Sequence, residues 1–306
     1  MSSTSASAMQ LGGPAIRRQT LWHYWRGSLR GSEYTWAVAF LVPYIAVFFA
    51  FVVYPVCYGV WMGSRPSLYT ELFNDPIYQK TLVNTMLFLV FGVNLKLFLA
   101  LMLSGFFMRP GWWMKTLLLI FVLPWAIPAV PTFISIHWML NGEWGLLNNA
   151  LYIVFGVEGP SWLNSRWLAL GSAICSHLWK WTPFWTVILL AGRMSIPHEI
   201  YDAAKVDGAT GLRSFIHVTF PLLANLYLIL TLLATIFLLG DFNSVFFVTG
   251  GGPANSTHLL ATLGIRNAYD MGHPDLGVAA VMSALPLMIP LVIILMRKLK
   301  AGQVEL

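Results

Sequence analysis

A chain of 306 residues in which 58% are hydrophobic and only 10% charged cannot make the water-facing surface of an ordinary soluble domain, where about 25% of residues are charged. The net charge of +6 lies mostly between apolar blocks and comes with 14 Trp, 11 Tyr and 20 Phe. That pattern suits lipid headgroups and argues against nucleic acid as a partner.

Residues 1–35 carry no apolar run of signal-peptide length, so the first span reads as an uncleaved anchor. Ser2 to Ser7 reads as a disordered start. Arg17 to Arg30, with Trp22, His23, Tyr24 and Trp25 between the arginines, suits either a short interfacial helix or a plain cytoplasmic tail. Six apolar segments then follow that are long enough to cross about 30 Å of hydrocarbon. They lie near Trp36–Val60, Leu82–Phe107, Thr116–Leu140, Trp167–Gly192, Phe215–Gly240 and Leu276–Met296. Residues 36–300 therefore form one all-α transmembrane domain, followed by a cytoplasmic tail, residues 301–306. Pro124, Pro128 and Pro131 predict a broken or bent third span, tolerated where neighbouring groups satisfy the freed carbonyls. Cys57 and Cys175 fall within apolar blocks and read as small buried hydrophobes rather than a disulfide or metal pair.

Orientation follows from the basic residues. Twelve Lys and Arg lie in one set of segments between the spans, and only Arg65, Lys80, Arg166 and Arg266 in the opposite set. This positive-inside bias places both termini in the cytoplasm. Lys96 and Lys180 fall within spans, and each reads as a functional residue or as a snorkelling or structural cation.

The loop between the fourth and fifth spans, Arg193–Ser214, is the most polar connection, and the stretch that carries information, residues 193–221, runs on into the start of the fifth span. Pro197 suits a first helical turn, and Glu199 and Asp202 set negative charge near the positive end of a helix dipole. Ala203 and Ala204 favour helix and leave a thin surface, and Gly208 supplies a left-handed terminus. The product is a helix of about ten residues, too short to stand alone in water. It needs a partner's groove or the membrane surface. A second helix starts near Thr210 and runs into the fifth span.

The spacing Asp202-Ala203-Ala204, three residues, Gly208, nine residues, Val218-Thr219-Phe220-Pro221 resembles the EAA loop of the membrane subunits of binding-protein-dependent ABC importers. Asp202, Val218 and Phe220 depart conservatively from the Glu, Ile and Leu of that pattern, and Asp207-Gly208-Ala209 matches its carbohydrate-importer form. Further matching segments, in order, are Tyr54-Pro55, Asn84-Thr85, Leu123 to Pro128, Gly145 to Asn148, Pro183-Phe184 and Val248 to Pro253. The last is similar to the first permease subunit of the maltose-transporter type. The resemblance implies a type I ABC importer permease fold. It also implies a second membrane subunit (a different chain), an ATPase dimer that binds the ATP, and an extracytoplasmic solute-binding protein. Glu199, Asp202, Ala203, Ala204, Asp207, Gly208 and Ala209 would form the coupling helix seated on an ATPase subunit.

The chain itself carries no GxxxxGK[ST] phosphate loop, no zinc-like histidine spacing and no paired nucleophile and base, so neither ATP nor a metal is expected on it. The run Gly250-Gly251-Gly252-Pro253 reads as a flexible outer turn. Trp138, Lys180, Trp185, Asn225, Thr231 and Asn243 are candidates for a solute path, because aromatic faces and amides hold sugars; each also fits plain packing. The competing reading is an ion-coupled secondary transporter acting without an ATPase. It calls for acidic residues inside the spans, and the six segments contain none.

Overall fold

Residues 33–304 are described by the structure, a computed structural model, with side chains described from 36 to 300. The segments read as a disordered start and an interfacial helix therefore lie outside the described residues, as does most of the tail. Two compact units, residues 1–58 and 59–306, are taken separately. The first holds most of helix α1 (Trp36–Gly63), whose apolar window has no buried residue. Phe40 and Phe51 remain 74% and 77% exposed. A helix apolar on every face suits lipid.

In the second unit, α2 (Pro66–Asn74) is a short amphipathic helix burying Leu68 and Leu72. Asp75 then caps α3 (Pro76–Phe107), its carboxylate accepting from the Ile77 N–H at 2.8 Å. Helices α4 (Trp112–Ala126) and α5 (Ala129–Met139) meet at 93°, so the third expected span is broken at Pro128. After α6 (Leu146–Phe155) comes α7 (Arg166–Met194), then the stub α8 (His198–Val206) and α9 (Gly211–Leu239). Two short helices, α10 (Asn243–Thr249) and α11 (Leu260–Ile265), precede α12 (Pro274–Lys300).

Among the described residues α1, α3, α9 and α12 are long and apolar enough to cross a membrane, and the broken pair passes the same test when its two helices are taken as one span. Helix α7, over the segment expected as the fourth span, has 29 residues, about 43 Å of helix, long enough to cross but less apolar than the other four. It is less apolar because it is the centre of the unit. It buries Ser176, His177, Lys180, Thr182, Thr186 and Arg193, and packs against α3, α4, α9 and α10. A helix shielded from lipid by its neighbours is free to be polar.

The core joins Phe88 and Leu97 of α3, Phe133 of α5, Trp185 and Leu189 of α7, and Leu238 of α9. Small residues allow close approach at two crossings. A Cβ at Gly92 would stand 2.4 Å from Leu238, and one at Gly192 would stand 2.4 Å from Leu226.

Two expectations fail. Cys57 and Cys175 are exposed rather than buried. In a membrane protein an apolar block need not face inward, because lipid is as good a neighbour as the core. The glycine run is not a loose turn. Gly250 (φ +60°) and Gly251 (φ +80°) shape a knot in which the Thr257 N–H donates to Gly251 O at 3.0 Å and Thr257 Oγ1 to Gly252 O at 2.6 Å. Asn84 of α3 fastens it, its Nδ2 donating to Ser256 O and His258 O at 2.8 and 3.1 Å. Burial pushes the His258 imidazole down to about 4, which keeps it neutral beside Thr262 and Asn255.

Candidate functional site

Two places in the second unit are candidates for the site. The first is the stub between α7 and α9. Pro197 precedes its first turn and Glu199 lies in that turn. Gly208 (φ +76°) reverses the chain, and the Ala209 N–H donates to Ala204 O at 2.7 Å, tying off the helix end. Ala204 is buried, while Glu199, Asp202, Ala203, Asp207 and Gly208 are exposed and Ala209 is half-buried. Tyr201 Oη lies 3.3 Å from Thr219 Oγ1, which joins the stub to α9. The Asp202 carboxylate accepts from Lys205 Nζ at 2.8 Å, and that bond and charge hold its pKa below the usual carboxylate range. Apolar side chains meanwhile face outward: Val206 is 88% exposed and Leu212 73%.

The second place is a cavity of about 270 Å³ lined by Trp125, Trp181, Phe184, Trp185, Phe237 and Asn243, with Lys96, His177 and Asp241 in its wall. These three side chains form a buried line. Lys96 Nζ lies 3.2 Å from His177 Nε2, and His177 Nδ1 lies 2.7 Å from Asp241 Oδ2. An ammonium has only protons to give. It therefore donates to Nε2, and the Nδ1 proton donates to the carboxylate. A neutral imidazole thus bridges a cation and an anion. Ser244 completes the set by donating its hydroxyl to Asp241 Oδ2 and its N–H to Oδ1. The Lys96 ammonium also lies 5.2 Å from the Trp185 ring centre.

A hollow walled by aromatic faces, with a few fixed polar groups, matches what a sugar needs: stacking for its C–H faces and hydrogen bonds for its hydroxyls. The family described as "Binding-protein-dependent transport system inner membrane component" matches residues 96–301, from the lysine of the cavity through the stub to the end of α12. The chain belongs to this family.

The permease is 35% identical to the sulfoquinovosyl glycerol transport system permease protein SmoG of Agrobacterium fabrum, over 71% of each chain. It is 36% identical to the trehalose/maltose transport system permease protein MalF of Thermococcus litoralis, over 54% of this chain and 55% of that one. Its fold is that of a chain from a bacterial ABC transporter involved in the import of alginate. The TM-score is 0.73 at 22% identity, over 87% of this chain and 96% of the other.

The permease brings two of the expected solute-path residues, Trp185 and Asn243, to the cavity. The other four stand elsewhere. Trp138 is 52% exposed and lies against Trp144 with ring centres 4.9 Å apart. Thr231 donates back to Tyr227 O at 2.8 Å and lines a separate groove with Thr235 and Asn94. Asn225 is half-buried on α9. Lys180 reaches Pro124 O at 3.0 Å and Ile127 O at 2.7 Å.

Those two carbonyls explain the position of Lys180. In a continuous helix they would accept from residues 128 and 131, but both are proline and have no N–H to give. The ammonium replaces the two missing donors at the break. We expect Lys180→Met to lower the stability of the purified protein by about 3 kcal/mol, as two charge-assisted bonds are lost. An unchanged thermal unfolding midpoint would show that the break holds itself.

Sequence reasoning noted Lys96 but passed over its partners. His177 is one of the histidines without zinc-like spacing, and nothing local marks it as a partner. Asp241 stands one residue beyond the fifth apolar segment, where a search for acids inside spans does not look.

Proposed function

We propose that this permease is one of two membrane subunits of an ATP-driven importer for a sugar or sugar-like solute. The second membrane subunit is a different chain, and an external binding protein delivers the solute. ATP is bound and hydrolysed by two partner subunits on the cytoplasmic side, where both termini of this chain lie, and the chain itself performs no catalysis. The stub α8 seats in a groove of one ATPase subunit and passes its movement to α7 and α9. Glu199, Asp202 and Ala203 face the groove, Ala204 packs inward, and Asp207, Gly208 and Ala209 form the turn.

The observation that carries this reading is α8 itself. It has nine residues, too few to persist alone. It holds Val206 out to solvent and is tied to α9 through Tyr201 and Thr219. The sugar assignment draws support from the aromatic cavity and from relatives whose names specify glycosides. Trp125 and Trp181 supply the stacking faces and Asn243 an amide, with Trp185 buried behind them, while Lys96, His177 and Asp241 hold the polar wall in place.

A single cysteine at Asp202, treated with a short bifunctional thiol reagent in membranes, is expected to give an adduct with a nucleotide-binding subunit. The yield should change when ATP is added. An adduct with lipid or a second copy alone would instead favour an ion-coupled transporter working by itself.

A further inference from the structure

Beside the stub lies a cavity of about 370 Å³, between the α3–α4 turn and the end of α7. Arg109, Lys115, Arg193 and His198 line it, and no Asp or Glu does so among the described residues. Arg193 is the most telling of them. It is 8% exposed, donates from Nε to Ser104 Oγ at 2.8 Å and from Nη2 to Leu101 O at 2.9 Å, and lies over the Phe215 ring at 5.4 Å. All of these partners are neutral. Among the described residues none of the three Lys and Arg side chains has a carboxylate within salt-bridge distance. Arg109 rests on the ring of Phe106 at 5.3 Å instead. A buried guanidinium with no counter-charge is costly, and two further cations sharing its cavity add repulsion. An anion placed there relieves both.

The rest of the wall is apolar, with Met114, Leu118, Leu190 and Met194 among its residues. Trp112 and Trp113, stacked with ring centres 4.0 Å apart and 65% and 61% exposed, stand at the start of α4. Tryptophan collects where hydrocarbon meets headgroups, and basic pockets between spans on the cytoplasmic side suit anionic headgroups. A soluble anion would leave the greasy wall and the indole pair without a role. We propose that this cavity binds the phosphate of an anionic phospholipid, with an acyl chain along Met114, Leu118 and Leu190. The bound lipid would brace the joint where α7 turns into the stub. The proposal rests on the membrane orientation proposed above but not on ATPase docking, so its test reads separately from the crosslink.

The test is lipid retention. The full-length permease, purified with its partner subunits from mixed phosphatidylcholine and phosphatidylglycerol bilayers, is analysed by native mass spectrometry. Phosphatidylglycerol should be retained in preference to phosphatidylcholine. The double variant Arg109→Gln/Lys115→Gln should retain on the order of tenfold less of it, since each basic residue near a charged headgroup contributes severalfold. The control pair Arg297→Gln/Lys298→Gln, equal in net charge, should retain it as the parent does. Equal retention of the two lipids, no loss in the first variant, or an equal loss in the control would overturn the proposal. Displacement of the lipid by millimolar inorganic phosphate would also overturn it, pointing to a site for a soluble anion.

Discussion

Asp241→Asn is expected to cause the largest loss of stability of any single polar substitution in the bundle, about 3–5 kcal/mol. The Asp241 side chain is 8% exposed and that of His177 4%, while Lys96 is 2% exposed. The carboxylate is the only negative charge in the line. With Asn in its place, the imidazole loses its charged acceptor and the ammonium loses the counter-charge that His177 relays to it. The Lys96 charge would then stand uncompensated in the core, where it lines the aromatic cavity. Neutralising both ends tests the cause. Lys96→Met added to Asp241→Asn should recover most of the loss, because the uncompensated charge is gone and the two sites are coupled. Thermal unfolding of the purified protein reads both variants. If the double variant melts no higher than Asp241→Asn alone, the line is not a bridged ion pair and its residues act independently.

How much of this was visible beforehand depends on the range of the interaction. The apolar segments are local facts of composition, and each corresponds to a helix or a helix pair. The stub was also legible, since Pro197 and Gly208 mark its ends and a left-handed residue there can be read from the sequence. The relay was not. Lys96 and His177 are 81 residues apart, and His177 and Asp241 are 64 apart. Nothing in local spacing pairs them. Lys180 falls between these cases. The orphaned carbonyls at Pro124 and Ile127 follow from prolines four residues later, so the need for donors was readable although their source was not. The outer segment after α9 misled for a different reason. Its glycines suggested looseness, but what fixes them is the distant Asn84 amide.

The second large effect is expected at Ala204. Its side chain is 8% exposed beneath the stub, its carbonyl closes the turn through the Ala209 N–H, and Tyr201 reaches Thr219 one turn away. Ala204→Leu places a larger side chain where the stub meets the start of α9. Overpacking of this kind costs about 2 kcal/mol, taken here as displacement of the stub from its docked position. That corresponds to about a thirtyfold fall in the equilibrium constant for seating, and solute uptake should fall with the seated fraction. The amount of protein in the membrane should hardly change, because the spans are untouched. Gly208→Ala is the informative contrast. Nothing lies within 4 Å of a Cβ there, so the only cost is a left-handed backbone at φ +76°, about 1–2 kcal/mol. Its uptake should lie between that of Ala204→Leu and the parent. Val206→Ser should weaken partner binding without disturbing the stub, because that side chain is 88% exposed and supports nothing beneath it. Uptake and membrane content measured together across the three variants decide the matter. If Ala204→Leu transports normally, the stub is a passive connector and the lever must lie elsewhere in the chain.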